Sequence, residues 1–248
     1  MADVPVADAR ASTVKELRST GYALLEPAAS IAALELDRAA LDPLRESWEH
    51  LPRDPYLRDG GHYRTRRHGC FVYTPDTGQL APVAQRPHWQ PTTYNALHGG
   101  MLRWFEPIAP AVAQDRAFRQ LLASLGALFA QLEPVSRWYL EAHQFRIDTE
   151  GGIGRPTPEG AHRDGVDFVA VVLIGRRGVR GGETRVFEAQ GNRGIRFTMQ
   201  EPWSMLLMDD ARVIHETTPI QSEHAGVRDT LVLTYRARGF QEPDAGDG

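Results

Sequence analysis

The spacing of apolar positions changes character near residue 136. Before it, apolar side chains recur at helical intervals. "STVKELRSTGYALLEP" predicts a short helix capped by Ser12 or Thr13 and stopped by Gly21, with a strand over Tyr22 to Leu25. Ile31, Leu34, Leu41, Leu44 and Trp48 mark one face of a helix from Ser30 to about His50, which Pro43 must kink or divide; Leu36 falls off that stripe. Phe118, Leu121, Leu122, Leu125, Leu128 and Phe129 predict a second helix over about 113–132. After residue 136 the runs are short, apolar or alternating, and divided by glycine, proline and acids. They read as six strands: "RWYLEAHQFRI", "VDFVAVVLI", "GETRVFE", "SMLLMDD", "RVIHETTPI" and "RDTLVLTYR". That spacing suits an antiparallel sandwich or barrel rather than alternating strand–helix units. The ends, residues 1–11 and "QEPDAGDG", hold little to bury and are expected to fray.

The 248 residues are expected to form a single domain, with 1–135 as helical support and substrate-covering segments and 136–237 as the β core. Composition is that of a globular protein, 42% hydrophobic and 24% charged. Net charge is −4 and the basic residues, nearly all arginine, are scattered, which argues against nucleic-acid binding. One cysteine, Cys70, excludes an internal disulfide and a cysteine-rich zinc site and fits a reducing compartment. No apolar run approaches the roughly 18–20 residues that cross a bilayer. The N-terminus carries acids where a secretory signal is basic then apolar, so the expected location is cytoplasmic.

Chemistry concentrates in "PEGAHRDGVDFVAVVLI". His162 and Asp164 stand two apart at the mouth of an apolar strand, where i and i+2 share a face. Burying an unpaired carboxylate there costs several kcal/mol unless a cation accompanies it. His215 in "MDDARVIHETTPI", 51 residues beyond Asp164, is the best third ligand. Two imidazoles and a carboxylate on one side of an ion leave positions open for oxidant and co-substrate, the arrangement of non-haem Fe(II) oxygenases. Arg228, thirteen residues after His215, opens the strand "RDTLVLTYR" and is suited to a two-pronged bond with a dicarboxylic acid. His-x-Asp alone is a weak signal; the longer pattern is stronger.

"PEGAHRDGVDFVAVVLI", "GGETRVFE", "LLMDDARVIHETTPI" and "GVRDTLVLTYR" together resemble the Fe(II)/2-oxoglutarate-dependent dioxygenase superfamily, and within it the bacterial L-isoleucine 4-hydroxylase-like amino-acid hydroxylases. The resemblance covers about 136–237, with "YRTRRHGCFVY" as its main N-terminal support. It implies a double-stranded β-helix, or jelly roll; His162, Asp164 and His215 as ligands of Fe(II); Arg228 as the anchor of 2-oxoglutarate; and O2 as oxidant. It further implies a small substrate, a free or lightly modified amino acid, hydroxylated with release of succinate and CO2, and Asp164 favours hydroxylation over halogenation. A homodimer is compatible with it.

Other residues are open. Gln144 and Arg146 alternate with His143 and Phe145, so one pair faces the interior; if it is the first, they touch co-substrate or substrate, and otherwise Arg146 is exposed or structurally paired. Tyr63, Arg64, Arg66 and Arg67 are candidates to receive a substrate carboxylate, against a plain solvated strand. Asp209 and Asp210 are expected in a turn, the glycines of "GVRGGETRVFE" in a hairpin, and Cys70 as a small buried side chain. His50, His62, His88, His98 and His224 have no partner at ligand spacing and read as surface or packing residues. Three alternatives remain: the same cofactors used for desaturation or cyclisation, a non-catalytic metal-binding jelly roll, and a cupin-type dioxygenase that needs no co-substrate.

Overall fold

The computed structural model describes residues 6–243. The chain runs through α1 (Val6–Thr20), β1 (Tyr22–Leu25), α2 (Pro27–Leu34), α3 (Arg38–Leu41), a 3-10 segment (Asp42–His50), β2 (Arg64–Thr74) and β3 (Gln79–Pro82). It continues through α4 (Pro110–Ala113), α5 (Arg116–Phe129), β4 (Trp138–Asp148), β5 (Phe168–Arg177), β6 (Arg180–Gly181), β7 (Thr184–Glu188) and β8 (Gly194–Phe197). It closes with β9 (Met205–Asp209), β10 (Val213–Thr217), β11 (Ile220–Gln221) and β12 (Val227–Arg236).

Seven strands form the major sheet in the order β1-β9-β5-β12-β4-β2-β3, and all the pairings within it are antiparallel. A smaller layer holds β10-β7-β8 and β11-β6. Residues 154–162 run along this layer through bridges Gly154↔Ile220 and His162↔His215. The result is the expected jelly roll. Its major sheet draws strands from well before residue 136, since β1 pairs with β9 and β2 with β4.

Alternation assigns each strand residue to one of two environments. On β4 and β12, Leu140, Ala142, Leu231, Leu233 and Tyr235 face the helices, forming one core with Leu121, Leu122, Leu125 and Phe129 of α5. Asp115 caps α5 by accepting from the amides of Ala117 and Phe118 at 2.8 and 3.0 Å. Gly126 lets that helix approach β2, because a Cβ there would sit 2.5 Å from the Tyr73 ring. Opposite faces of the same strands turn polar side chains into the barrel.

Several expected boundaries move. Helix α1 begins at Val6, upstream of Ser12 and Thr13, which lie inside it; Thr13 bonds back to the Ala9 carbonyl at 2.9 Å. The alanine-rich "VADARA" favours helix upstream of the expected start. Gly21, at φ +83°, ends it as expected and gives way to β1. The single helix expected from Ser30 to His50 is divided into three pieces: Glu35 turns left-handed at φ 54° after α2, and Pro43 sits in the first turn of the 3-10 segment. Residues 1–5 and 244–248 of the expected frayed ends lie outside the described residues; within them, 6–11 are helical and Gln241 is tied down.

Phe129 joins helix to sheet, stacked on Phe168 with centroids 4.6 Å apart and edge-on to Tyr235 at 5.0 Å. Phe129→Ala is expected to remove about 3–5 kcal/mol of stability, read as a lowered urea midpoint; a loss under about 1 kcal/mol would show that this contact does not hold α5 to the sheet.

Candidate active site

His162, Asp164 and His215 come together as the sequence predicts, though by a different backbone route. They do not share a strand face: His162 lies in the isolated bridge to His215, and Asp164 lies in the coil that leads into β5. The two backbones exchange hydrogen bonds, His162 N to His215 O and His215 N to His162 O, each 3.0 Å. Their rings stand 4.6 Å apart. Asp164 Oδ1 is 3.9 Å from His162 Nε2 and its Oδ2 is 3.8 Å from His215 Nε2. Two metal–ligand bonds of about 2.1 Å span at most ~4.2 Å, so one ion can reach each pair.

The loop is fixed from behind. Asp210, 1% exposed, accepts the backbone N–H groups of Asp164, Gly165 and Val166 at 2.9, 2.8 and 3.1 Å. Burial and the nearby Asp164 carboxylate push Asp210 up to about 7. The turn expected at Asp209 and Asp210 is present, with the Asp209 carboxylate accepting from Ala211 N, and from within it Asp210 also clamps the ligand loop. Gln241 donates to the carbonyls of Asp164 and Gly165 at 3.1 and 2.8 Å. His162 Nδ1 lies 2.9 Å from the Gly160 carbonyl, to which it can only donate; that leaves Nε2 unprotonated and free to ligate in the neutral ring. Burial would lower the His162 imidazole, but Asp164 and Glu159 outweigh it and raise it, while burial holds His215 well below its usual range.

A cavity of about 870 Å³, counting its solvent-open part, extends from these residues. Strand alternation supplies its floor: Arg228, Thr230, Val232 and Thr234 from β12, His143 and Phe145 from β4, Arg64 and Arg66 from β2. Arg228 is 4% exposed and makes no ion pair among the described residues; burial pushes it down to about 10, so it remains charged at neutral pH.

The other expected residues divide. Gln144 and Arg146 do not reach the cavity: they are the outward pair, and His143 and Phe145 face in. Gln144 donates to Ser47 Oγ at 2.9 Å, and Arg146 pairs with Asp229 at 2.7 Å and with Glu49. Arg64 and Arg66 line the cavity, with Arg64 on Asp54 at 2.7 Å and Arg66 between the rings of Phe105 and Phe145, 3.6 and 4.3 Å from their centroids. Arg67 turns outward onto the Pro107 carbonyl, and the Tyr63 hydroxyl donates to Asp59; neither lines the cavity. Residues 83–109, which lack helix or strand, supply further lining. Of the histidines expected at the surface or in packing, His88 and His98 are buried there, at 8% and 1% exposure, and both line the cavity. Gln90 donates to Asp164 Oδ1 at 3.2 Å and accepts from Arg103 at 2.9 Å. The prolines flanking "HWQ" announced only a loop.

A jelly roll with two imidazoles and a carboxylate beside an arginine-lined cavity defines a non-haem oxygenase architecture. The family model described as 2OG-Fe dioxygenase matches residues 45–234, and the chain belongs to that family. Its members are oxidoreductases that use Fe(II), 2-oxoglutarate and O2. The crystal structure of a bsmA homolog from Methylobium petroleophilum is 57% identical, with a TM-score of 0.90, over 94% of this chain and 95% of that one. IDO from Bacillus thuringiensis (17% identity, TM-score 0.76, 94% and 100% covered) shares the fold. So does the Fe(II)/(alpha)ketoglutarate-dependent dioxygenase TqaL (19%, 0.70, 94% and 88%). No curated protein matches the chain. No described helix is long and apolar enough to cross a membrane.

The reassignment of Arg146 has a pH signature. Hydrogen bonding from Arg146 holds Glu49 down to about 2, and Arg146 opposes the rise that burial imposes on Asp229. Arg146→Met leaves a largely buried Asp229 unpaired, costing roughly 3 kcal/mol at neutral pH, with the exposed Glu49 adding little. Both carboxylates are stabilised by Arg146 in their ionised form. Of the gap between wild type and variant, the share carried by Asp229 is therefore full above the raised pKa that this carboxyl has in the variant and closes as pH falls through its wild-type pKa, itself above the ordinary aspartate value, while the small Glu49 share closes toward pH 2. Urea midpoints at pH 7 and pH 3 measure it; a gap that does not narrow on acidification would contradict this pairing.

Proposed function

We propose that this enzyme hydroxylates an unactivated C–H bond of a small acidic substrate, most naturally a free or lightly modified amino acid, as in the bacterial amino-acid hydroxylase branch its sequence resembles. His162 Nε2, Asp164 and His215 Nε2 hold the iron, and Arg228 takes the far carboxylate of 2-oxoglutarate. The carrying observation is that a buried guanidinium with no acidic partner among the described residues lines the same cavity as a two-imidazole, one-carboxylate cluster. An uncompensated buried charge is costly, and a dicarboxylate that reaches it removes that cost while fixing its own orientation.

When bound, Fe(II) and 2-oxoglutarate supply O2 activation coupled to oxidative decarboxylation to succinate and CO2. The chain's residues bind and orient. Asp210 and Gln241 hold the Asp164 loop, and the Gly160 carbonyl sets the His162 tautomer. Gln90, itself held by Arg103, donates to one Asp164 oxygen and so restricts how the carboxylate turns. Arg64, Arg66 and Arg103 make the rest of the cavity receptive to a substrate carboxylate, and Glu159 provides an acid on the His162 side suited to an ammonium.

Succinate release with Fe(II), ascorbate and 2-oxoglutarate across the amino acids tests the reading, and product mass distinguishes hydroxylation, a gain of one oxygen, from desaturation or cyclisation, a loss of two hydrogens. No substrate-coupled succinate with any of them would contradict it. Asp164→Ala is expected to abolish turnover and weaken Fe(II) binding; retained turnover would show a misassigned ligand set. Arg228→Ala is expected to raise the KM for 2-oxoglutarate about 30-fold or more, the equivalent of at least ~2 kcal/mol. An unchanged KM would move the anchor elsewhere.

A further inference from the structure

Three imidazoles and a carboxylate meet in the core on residues that the iron assignment leaves unused. His68 on β2 stands directly across from His143 on β4, and Glu141 is two residues along β4, so alternation turns all three to the barrel interior. His88 enters from the 83–109 segment. All four are buried, and one donor atom from each lies within 4.8 Å of the others.

The contacts crowd one oxygen. Glu141 Oε2 is 2.5 Å from His88 Nδ1, 3.2 Å from His68 Nε2 and 3.4 Å from His143 Nε2. A carboxylate oxygen has two lone pairs, so three ring N–H donors exceed its capacity. The role of His143 is set from its far side: Arg66 Nη2, which can only donate, is 2.6 Å from His143 Nδ1, so the ring proton of a neutral His143 sits on Nε2 and points at Glu141. His68 Nε2 and His88 Nδ1 then compete for what remains.

We propose that His68 Nε2, His88 Nδ1 and Glu141 Oε2 bind a second divalent ion of the zinc class, with His143 donating its Nε2–H to the Glu141 carboxylate as outer support. Two neutral imidazoles and a carboxylate suit such an ion. Tetrahedral bonds of about 2.0–2.1 Å place ligands ~3.3 Å apart. The His68–Glu141 separation of 3.2 Å already matches, and the 2.5 Å His88 contact opens as the ion enters. A ligating carboxylate held by an outer donor is a regular feature of metal sites. The ion adds a side-chain link from this loop to β2 and β4, beside the backbone hydrogen bonds that already tie the loop to His68 and Cys70 of β2; long loops without regular structure in compact folds are usually functional. Two residues past His88 is Gln90, which donates to Asp164, so the fastening positions a partner of the iron site.

The full-length protein, stripped of metal, is titrated with Co(II) without O2 or 2-oxoglutarate, and bound metal is counted after gel filtration while visible absorption is followed. Two equivalents are expected in wild type, one in Glu141→Gln, one in His88→Phe and one in Asp164→Ala. His88→Phe, on the loop, decides the matter if Glu141→Gln fails to fold. A single wild-type equivalent that Asp164→Ala removes and His88→Phe leaves would overturn the second site and keep the iron assignment. A single equivalent that His88→Phe removes and Asp164→Ala leaves would support the second site and overturn the iron assignment.

Discussion

Two reciprocal backbone hydrogen bonds between His162 and His215 set the position of everything that follows. They lay the segment entering β5 against β10, so the two imidazoles project from neighbouring chains with their rings 4.6 Å apart. The pair is placed by the ladder rather than by the side chains themselves, which keeps its geometry when neither ring has a ligand. Asp164 lies past the bridge, where the ladder no longer holds the chain. There Asp210 takes over with three backbone amides and Gln241 with two carbonyls. Orienting three side chains by main-chain contacts suits a centre that must keep several coordination positions open.

The same division appears across the sheet. One face of β4 and β12 is apolar and buried under α5, where packing density makes the strands stiff. The opposite face carries His143, Phe145, Arg228 and the threonines of β12, the groups that need stiff support. Gln144, Arg146 and Asp229 are the polar exceptions on the outer face. Gln144 bonds to Ser47 and Arg146 pairs with both Asp229 and Glu49, which ties this end of the sheet to the 3-10 segment.

What the sequence made legible followed from where chemistry and period coincide. His162, Asp164 and Arg228 stand at the edges of strongly apolar runs, where a charged or ligating side chain has few structural reasons to be, and His215 lies inside a short predicted strand. His162 and Asp164 do converge, but across a bridge and a coil rather than along the single strand face that alternation predicts. In "HQFR" the period of two was visible but its phase was not, because both possible faces carry a polar residue and a one-residue slip exchanges them. His68, His88 and Glu141 were beyond reach for another reason: they come from segments far apart in the chain, and only the β2–β4 register and the path of residues 83–109 bring them together.

Charge is what supports the proposal of an acidic rather than a neutral substrate. Arg64, Arg66, Arg103 and Arg228 line it, against the carboxylates of Asp164 and Glu159 and with Asp54 behind Arg64. A divalent ion more than cancels Asp164, so it adds to the guanidinium excess rather than relieving it. One dicarboxylate at Arg228 meets part of that excess. The remainder, on the β2 side with Arg66 held between Phe105 and Phe145, is left for a second anion. Because these guanidiniums are buried, salt screens them weakly, so recognition of a substrate carboxylate there persists at ionic strengths that erase surface pairs. Asp54 already pairs with Arg64 and lies 3.8 Å from Arg66, so under the proposed function a neutral substrate would leave only the part of the charge that Asp54 does not meet without a partner, and that penalty would discriminate against it.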